Sequence, residues 1–231
     1  VEVAPLSRKD RLEGEKETLG LYLTGHPIED YIEEISVMCP KRIAALRSKR
    51  GTQVVAGLVV SFRSRRSRRG DTMAFAVLDD RSGRIEVSVF GETYAQHGAK
   101  LVKDAVLVIE GEVQHDDYSE ALKLRAEAVY TMDEARKRFR GFVEIALDRN
   151  AVNGDFSTRL RSTLDPHRSD GCVVAIDYRN AAAAGRVMLG DEWRVAPTDD
   201  LLLSLRREFG DDAVRMRYRS TQSQFADRAT A

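Results

Sequence analysis

Between Phe62 and Thr72 the chain carries five arginines, Arg63, Arg65, Arg66, Arg68 and Arg69, in a short stretch that also contains serine and glycine. Guanidinium groups crowded together repel one another, and a polyanion such as nucleic acid relieves that repulsion by offering phosphates to them. The chain as a whole is neutral, with 37 Lys and Arg against 37 Asp and Glu, so the cluster is a local feature and not a by-product of basic composition. The plain alternative is a solvated loop; we favour phosphate contact. Binding of that kind depends on backbone charge, tolerates any base sequence and weakens steeply with salt. Nearby candidates for further contact are Arg84 and the aromatics Phe62, Phe90 and Tyr118, although for each aromatic a packing role is favoured over stacking. Phe75 shares the phase of Met73 and Val77 and is expected in the core.

Other residue groupings carry less chemistry. Adjacent acids occur at Asp79-Asp80, Asp116-Asp117, Asp199-Asp200 and Asp211-Asp212. A two-metal site needs carboxylates converging on ions ~4 Å apart. Neighbours on an extended strand point to opposite faces, and these pairs fall at expected turns and a helix start, where acids serve as turn and capping residues. His26, His97, His115 and His167 lack metal-ligand spacing, and no nucleophile constellation is present. Neither a catalytic residue, a metal nor a cofactor is therefore expected in this chain. Cys39 and Cys172 lie far apart without CxxC spacing, which fits reduced thiols in a cytoplasm. No apolar stretch approaches the ~20 residues of a membrane helix, and the opening VEVAPLSRKDRLEGEKE has no signal-peptide pattern. A soluble cytoplasmic chain with no membrane partner is expected. Its first residue is Val1; processing can remove a methionine ahead of valine, so this only hints at a piece of a longer protein.

The elements that must position the arginines read as follows. Residues 1–50 form a helical lead-in and linker: Leu12, Leu19 and Tyr22–Leu23 suit one stripe, and Ile28, Tyr31, Ile32 and Ile35 a second, which Pro40 ends. From Gln53 the period becomes two. Val54 to Phe62 reads as a strand with Gly57 marking a bend or bulge, and the arginine run as the loop tip beyond it. Strands follow at Met73–Val77 and Ile85–Val89, with a short helical pattern at Gly91–Leu101. Two more come at Ala105–Val113 and Ala121–Tyr130. Five strands with a helix between the third and fourth is the order of the OB-fold, a small barrel that binds ligands over strands two and three and the loops joining strands one–two and four–five. The arginine tip occupies the first loop and Asp116-Asp117-Tyr118 the second.

Residues 132–141 read as a charged helical connector, and residues 142–219 as a small α+β unit. Its helix from Asp155 carries Phe156, Leu160 and Leu164. Strands are expected at Cys172–Tyr178, Arg186–Leu189, Glu192–Val195 and Val214–Tyr218. A helix capped by Thr198 carries Leu201, Leu202, Leu205 and Phe209. Residues 220–231 read as a disordered tail. The fold class is thus mixed α and β: a helical segment, a five-stranded barrel and a C-terminal α+β domain.

Several stretches resemble one family. EKETLGLYLTGHPIEDY (Glu15 to Tyr31), AGLVVSFR (Ala56 to Arg63), LDDRSGRIEVSVF (Leu78 to Phe90), LDPHRS (Leu164 to Ser169) and DEWRVAPTDDLLLSLR (Asp191 to Arg206) resemble, in order, the C-terminal part of the bacterial DNA polymerase III alpha subunit. The resemblance implies an OB-fold near single-stranded template DNA and a last domain that binds the clamp-loader tau subunit among other replisome subunits. It also implies that the DNA-directed DNA polymerase active site, a nucleotidyltransferase centre, lies upstream of this chain. Some family members end in a clamp-binding peptide; the corresponding DDAVRMRYRS lacks its leading glutamine and carries arginines in place of acids. For the partner-binding role Arg159, Arg161, Trp193, Arg206 and Arg207 are the candidates, with a core role for Trp193 and solvated faces for the arginines as the alternatives.

Overall fold

The structure, a computed structural model, describes residues 14–15, 18, 25–66, 72–148, 152 and 154–218, and these fall into two units dividing after Thr131. The expected helical stripe of Leu12, Leu19 and Tyr22–Leu23 and the tail from residue 219 lie outside the described residues.

In the first unit, His26 Nδ1 accepts a bond from the Ile28 N–H at 3.3 Å and starts a 3-10 turn, Pro27–Tyr31, which runs into α1 (Ile32–Met38). A 3-10 turn advances three residues per turn instead of 3.6. The apolar phase therefore slips: Ile28, Ile35 and Met38 are buried, whereas Ile32, expected on the same stripe, is exposed. A second short turn, Ile43–Ala45, sends Ile43 and Leu46 into the barrel core.

The barrel strands are β1 (Lys49–Arg66), β2 (Thr72–Asp79), β3 (Arg84–Phe90), β4 (Val106–Asp116) and β5 (Ala121–Thr131), with α2 (Gly91–His97) between β3 and β4. They close in the order β1–β2–β3–β5–β4, the OB-fold expected from the strand and helix order. Val59, Leu78, Val87, Ile109, Val113, Leu124 and Val129 fill its interior. The bulge in β1 falls between Val59 and Ser61, after Gly57. Gly57 instead permits close approach, since a Cβ there would stand 3.0 Å from the Leu78 Cβ and 3.1 Å from the Asp79 carbonyl oxygen. The β2–β3 turn is built on Asp80. Its Oδ1 accepts from the N–H groups of Ser82 and Gly83 and from the Ser82 hydroxyl, and its Oδ2 accepts from the Ile43 N–H and Arg42 Nε.

The second unit contains α3 (Met132–Arg138), β6 (Gly141–Leu147), α4 (Phe156–Leu164), β7 (Arg168–Cys172), β8 (Val174–Arg179), β9 (Ala184–Met188), α5 (Asp199–Phe209) and β10 (Val214–Tyr218). The sheet order is β10–β6–β8–β9, with β6 and β8 parallel and the outer pairs antiparallel. Leu160 and Leu164 from α4 and Leu201, Leu202 and Leu205 from α5 bury against Val143, Ile145, Val174 and Val214 of the sheet. Thr198 Oγ1 accepts from the Leu201 N–H at 3.2 Å and caps α5, while Asp199 and Asp200 in the first turn favour the positive end of its dipole. Arg136 is 1% exposed, paired with Asp133 and Asp199 and donating to the Pro197 carbonyl.

Two strand expectations are corrected. Glu192–Val195 is not a strand: Asp191–Trp193 is a 3-10 turn, and only Val195 pairs, bridging to both Arg168 and Cys172. The run expected as a strand from Cys172 to Tyr178 is broken, with Cys172 ending β7 and Val174 opening β8.

Candidate nucleic-acid interface

The arginine run is not all loop. β1 continues past Phe62 to Arg66, with Arg63 opposite Phe75, Arg65 opposite Met73 and Arg66 opposite Thr72, because backbone groups there find ladder partners in β2. Arg68 and Arg69 lie outside the described residues. Strand periodicity then divides the cations between two faces. Arg63 and Arg65 share the outer face of β1, whereas Arg66 takes the phase of Phe62.

That register also corrects Phe75. Ala74, Ala76 and Leu78 are the buried residues of β2, so Phe75 lies on the outer face, half-buried, beside Met73 and Val77. Across β3 its neighbour is Ser88, and Met73 pairs with Phe90. The Phe75 and Phe90 rings meet edge to face with centroids 6.0 Å apart. The Arg63 guanidinium lies 5.1 Å from the Phe75 centroid. Phe62, opposite Ala76, points away from this platform.

The outer face continues onto β5, where Glu86 pairs with Lys123 and Ser88 with Arg125. Glu86 Oε2 is 3.1 Å from Arg63 Nη2 and its Oε1 is 3.3 Å from Lys123 Nζ. Lys123 in turn bonds Asp116, at the end of β4. The Lys123 ammonium and the Tyr118 and Ser119 N–H groups hold the Asp116 carboxyl down to about 2, and the Asp116 carboxylate raises Lys123 in return. Asp116 Oδ1 also fixes the turn that presents Tyr118. At 99% exposure, Tyr118 packs against nothing, contrary to the packing role expected for it. Arg84 is tied to Asp79 at 2.8 Å. Partial burial pushes the Asp79 carboxyl up, but the Arg84 guanidinium and the Arg81 N–H outweigh it and leave it below its ordinary value. Arg125 lies 3.6 Å from Glu112, and among the described residues no carboxylate pairs with Arg65 or Arg66.

The arrangement is an aromatic pair edged by cations, with Tyr118 projecting at one end. Rings of this kind can stack bases, and cations so placed can hold phosphates. Sequence reasoning missed Phe75, Lys123 and Arg125. The last two were available from β5, since they alternate with Leu122, Leu124 and Ala126, which face inward.

In the second unit the candidate partner residues separate. Trp193 is half-buried against the core, with Arg168 4.1 Å and Arg161 5.5 Å from its ring centroid. Arg159 lies elsewhere, 2.9 Å from Glu208 and over Phe209. Arg206 and Arg207 belong to the last turn of α5, where positive charge complements the helix dipole. Among the described residues no helix is long and apolar enough to cross a membrane.

Residues 53–131 match the family described as OB-fold nucleic acid binding domain, and residues 159–210 match that of the DNA polymerase III subunit alpha, C-terminal domain. The chain is 44% identical over 217 residues to the DNA polymerase III subunit alpha of Pseudomonas aeruginosa, covering 94% of this chain and 18% of that protein. It is 39% identical over 214 residues to that of Escherichia coli, covering 90% and 18%. To that of Vibrio cholerae it is 38% identical over 212 residues, covering 91% and 18%. The chain thus spans about a fifth of the length of the curated relatives it matches. By its sequence and the order of its two units, the chain belongs with the C-terminal region of the bacterial DNA polymerase III alpha subunit.

Proposed function

We propose that the chain acts in DNA replication as the C-terminal part of a polymerase subunit, and that its first unit holds single-stranded DNA on the outer face of β1, β2, β3 and β5. The observation that carries this is the Phe75–Phe90 pair with Arg63 over one ring and Arg65 and Arg125 beside it. Glu86 does not block the site. The Arg63 side chain is 71% exposed, and exposed ion pairs are worth only ~0–1 kcal/mol, so a phosphate can displace one.

The test is fluorescence anisotropy of the full chain with a labelled oligothymidylate across a salt series. Replacing Arg63, Arg65 and Arg125 together by serine removes about three contacts, and each single-strand contact adds ~0.7 to the salt slope, so the slope falls by about 2. Binding left unchanged by the triple variant removes this assignment; no binding by the unaltered chain leaves a protein-interaction scaffold without DNA affinity of its own.

For the second unit the resemblance to the alpha subunit supports docking of the clamp-loader tau subunit, with the Trp193 surface as the contact. Trp193 is the only tryptophan of the chain and sits between two arginines, so its emission reports on that surface. Adding purified tau shifts the emission, and Arg161→Glu weakens the complex. A chain that neither changes emission nor retains tau on a column does not dock it.

A further inference from the structure

A cleft of about 600 Å³ opens in the second unit beside β6, within the ~300–1,000 Å³ range of ligand clefts. Its charged lining is Lys137, Arg140, Arg186 and Arg194, with no carboxylate among the lining residues. Between these cations stand Phe142, half-buried, and Met188, exposed. The Arg186 guanidinium lies 5.9 Å from the Phe142 centroid, the same cation-over-ring arrangement that Arg63 and Phe75 make on the barrel.

The cations differ in how firmly they are held. Arg186 is bound to Asp177 and Glu144, and Arg194 to Asp191 and the Gly171 carbonyl. Among the described residues Lys137 makes only a 3.6 Å contact with Asp170, itself 98% exposed. No carboxylate among the described residues pairs with Arg140. Arg140 also has a φ of 52°, the left-handed conformation following α3, with its N–H bonded to the Lys137 carbonyl. Glycine is the residue that takes this helix-ending position without steric cost. An arginine standing where glycine fits better points to a use for its charge.

We propose that this cleft is a second single-stranded nucleic-acid site, in which Arg140 and Lys137 hold backbone phosphates and a base lies against Phe142 and Met188. Arg140, with no carboxylate partner among the described residues, and Lys137, with only a distant exposed one, match successive phosphates of a phosphodiester chain. The apolar wall between them matches a base, which a run of carboxylates alone does not supply.

The test uses the full chain and an oligonucleotide carrying 5-iodouracil, with cross-linked peptides identified by mass spectrometry. Cross-links within residues 137–148 are expected in addition to those on the barrel. Arg140→Gly combined with Lys137→Ser removes them, lowers the salt slope by about 1.4 (two contacts at ~0.7 each) and leaves the melting temperature unchanged or higher, since glycine suits the backbone at 140. The Arg63, Arg65 and Arg125 triple variant is run in parallel, and cleft cross-links that persist in it show that the two sites stand or fall separately. Absence of cross-links in residues 137–148, or a slope unaffected by the double variant, overturns the proposal. So does binding of polyglutamate that the double variant abolishes while the oligonucleotide leaves the cleft untouched.

Discussion

Arg63 and Phe75 are cross-strand neighbours whose side chains meet on the solvent side of the barrel, with the guanidinium 5.1 Å from the ring centroid. The arrangement leaves Phe75 outside the apolar interior, so its loss and the loss of fold stability are separable. Phe75→Ala is expected to weaken oligonucleotide binding by ~1–3 kcal/mol, the value of a stacked base, while lowering stability by less than about 1 kcal/mol. Anisotropy titrations and urea melts of the same protein check both numbers. A variant that binds normally, or one that unfolds, contradicts the outer-face role.

Asp80 gives a pH signature. Burial pushes its carboxyl up, but the bonds from Ser82 and from the Ile43 N–H, with the Arg42 charge, outweigh this and hold it below its ordinary value. The folded state therefore binds the proton less tightly than the unfolded chain. Its contribution is complete above the unfolded carboxylate value of ~4 and is lost as pH falls through the lower folded value. Asp80→Asn, which turns an amide N–H₂ toward existing donors, is expected to cost about 2–3 kcal/mol at neutral pH. Thermal melts in increasingly acid buffer should show the gap to wild type closing. A gap that stays constant assigns the effect to shape and not to charge.

Arg136 is a buried cation held by Asp133, Asp199 and the Pro197 carbonyl. Removing one member of such a set strands the others, at about 3–5 kcal/mol. Arg136→Ala is expected to melt the second unit early, seen as a change in Trp193 emission, while far-ultraviolet dichroism retains the barrel signal. Unaltered melting shows that the acids are solvated without it.

Gly111 lies at the bulge where β4 crosses β5, and a Cβ there would collide with the Arg125 carbonyl oxygen. Gly111→Ala forces backbone to move and is expected to destabilise the barrel by ~1–3 kcal/mol. Denaturant midpoints with an unchanged m-value check this. Oligonucleotide affinity should drop with it, because Arg125 moves.

Much of the barrel was legible because β3 and β5 alternate cleanly: Ile85, Val87 and Val89 on one, Leu122, Leu124 and Ala126 on the other. β2 misled by size. A five-stranded barrel has little room inside, so Ala74 and Ala76 occupy the interior and the bulky Met73 and Phe75 are excluded from it. The arginine run hid the end of β1, since a string of like residues has no period to mark where pairing stops. The composition of the Trp193 stretch suits a strand, yet Val195, which bridges two residues of β7, is the only member of that stretch to join a ladder. The Phe75–Phe90 contact and the Arg140 cleft depend on register and helix ending, which no local pattern encodes.

The barrel closes through a short parallel junction of β3 with β5 at Glu86–Lys123, Val87–Leu124 and Ser88–Arg125, whereas β4 and β5 pair over almost their whole lengths. This is the thinnest seam in the wall, and the bound strand we propose runs directly over it. A ligand lying there acts as a suture, so occupancy should slow amide exchange along β3 and β5 more than along β4, and the barrel is stiffest when it is loaded.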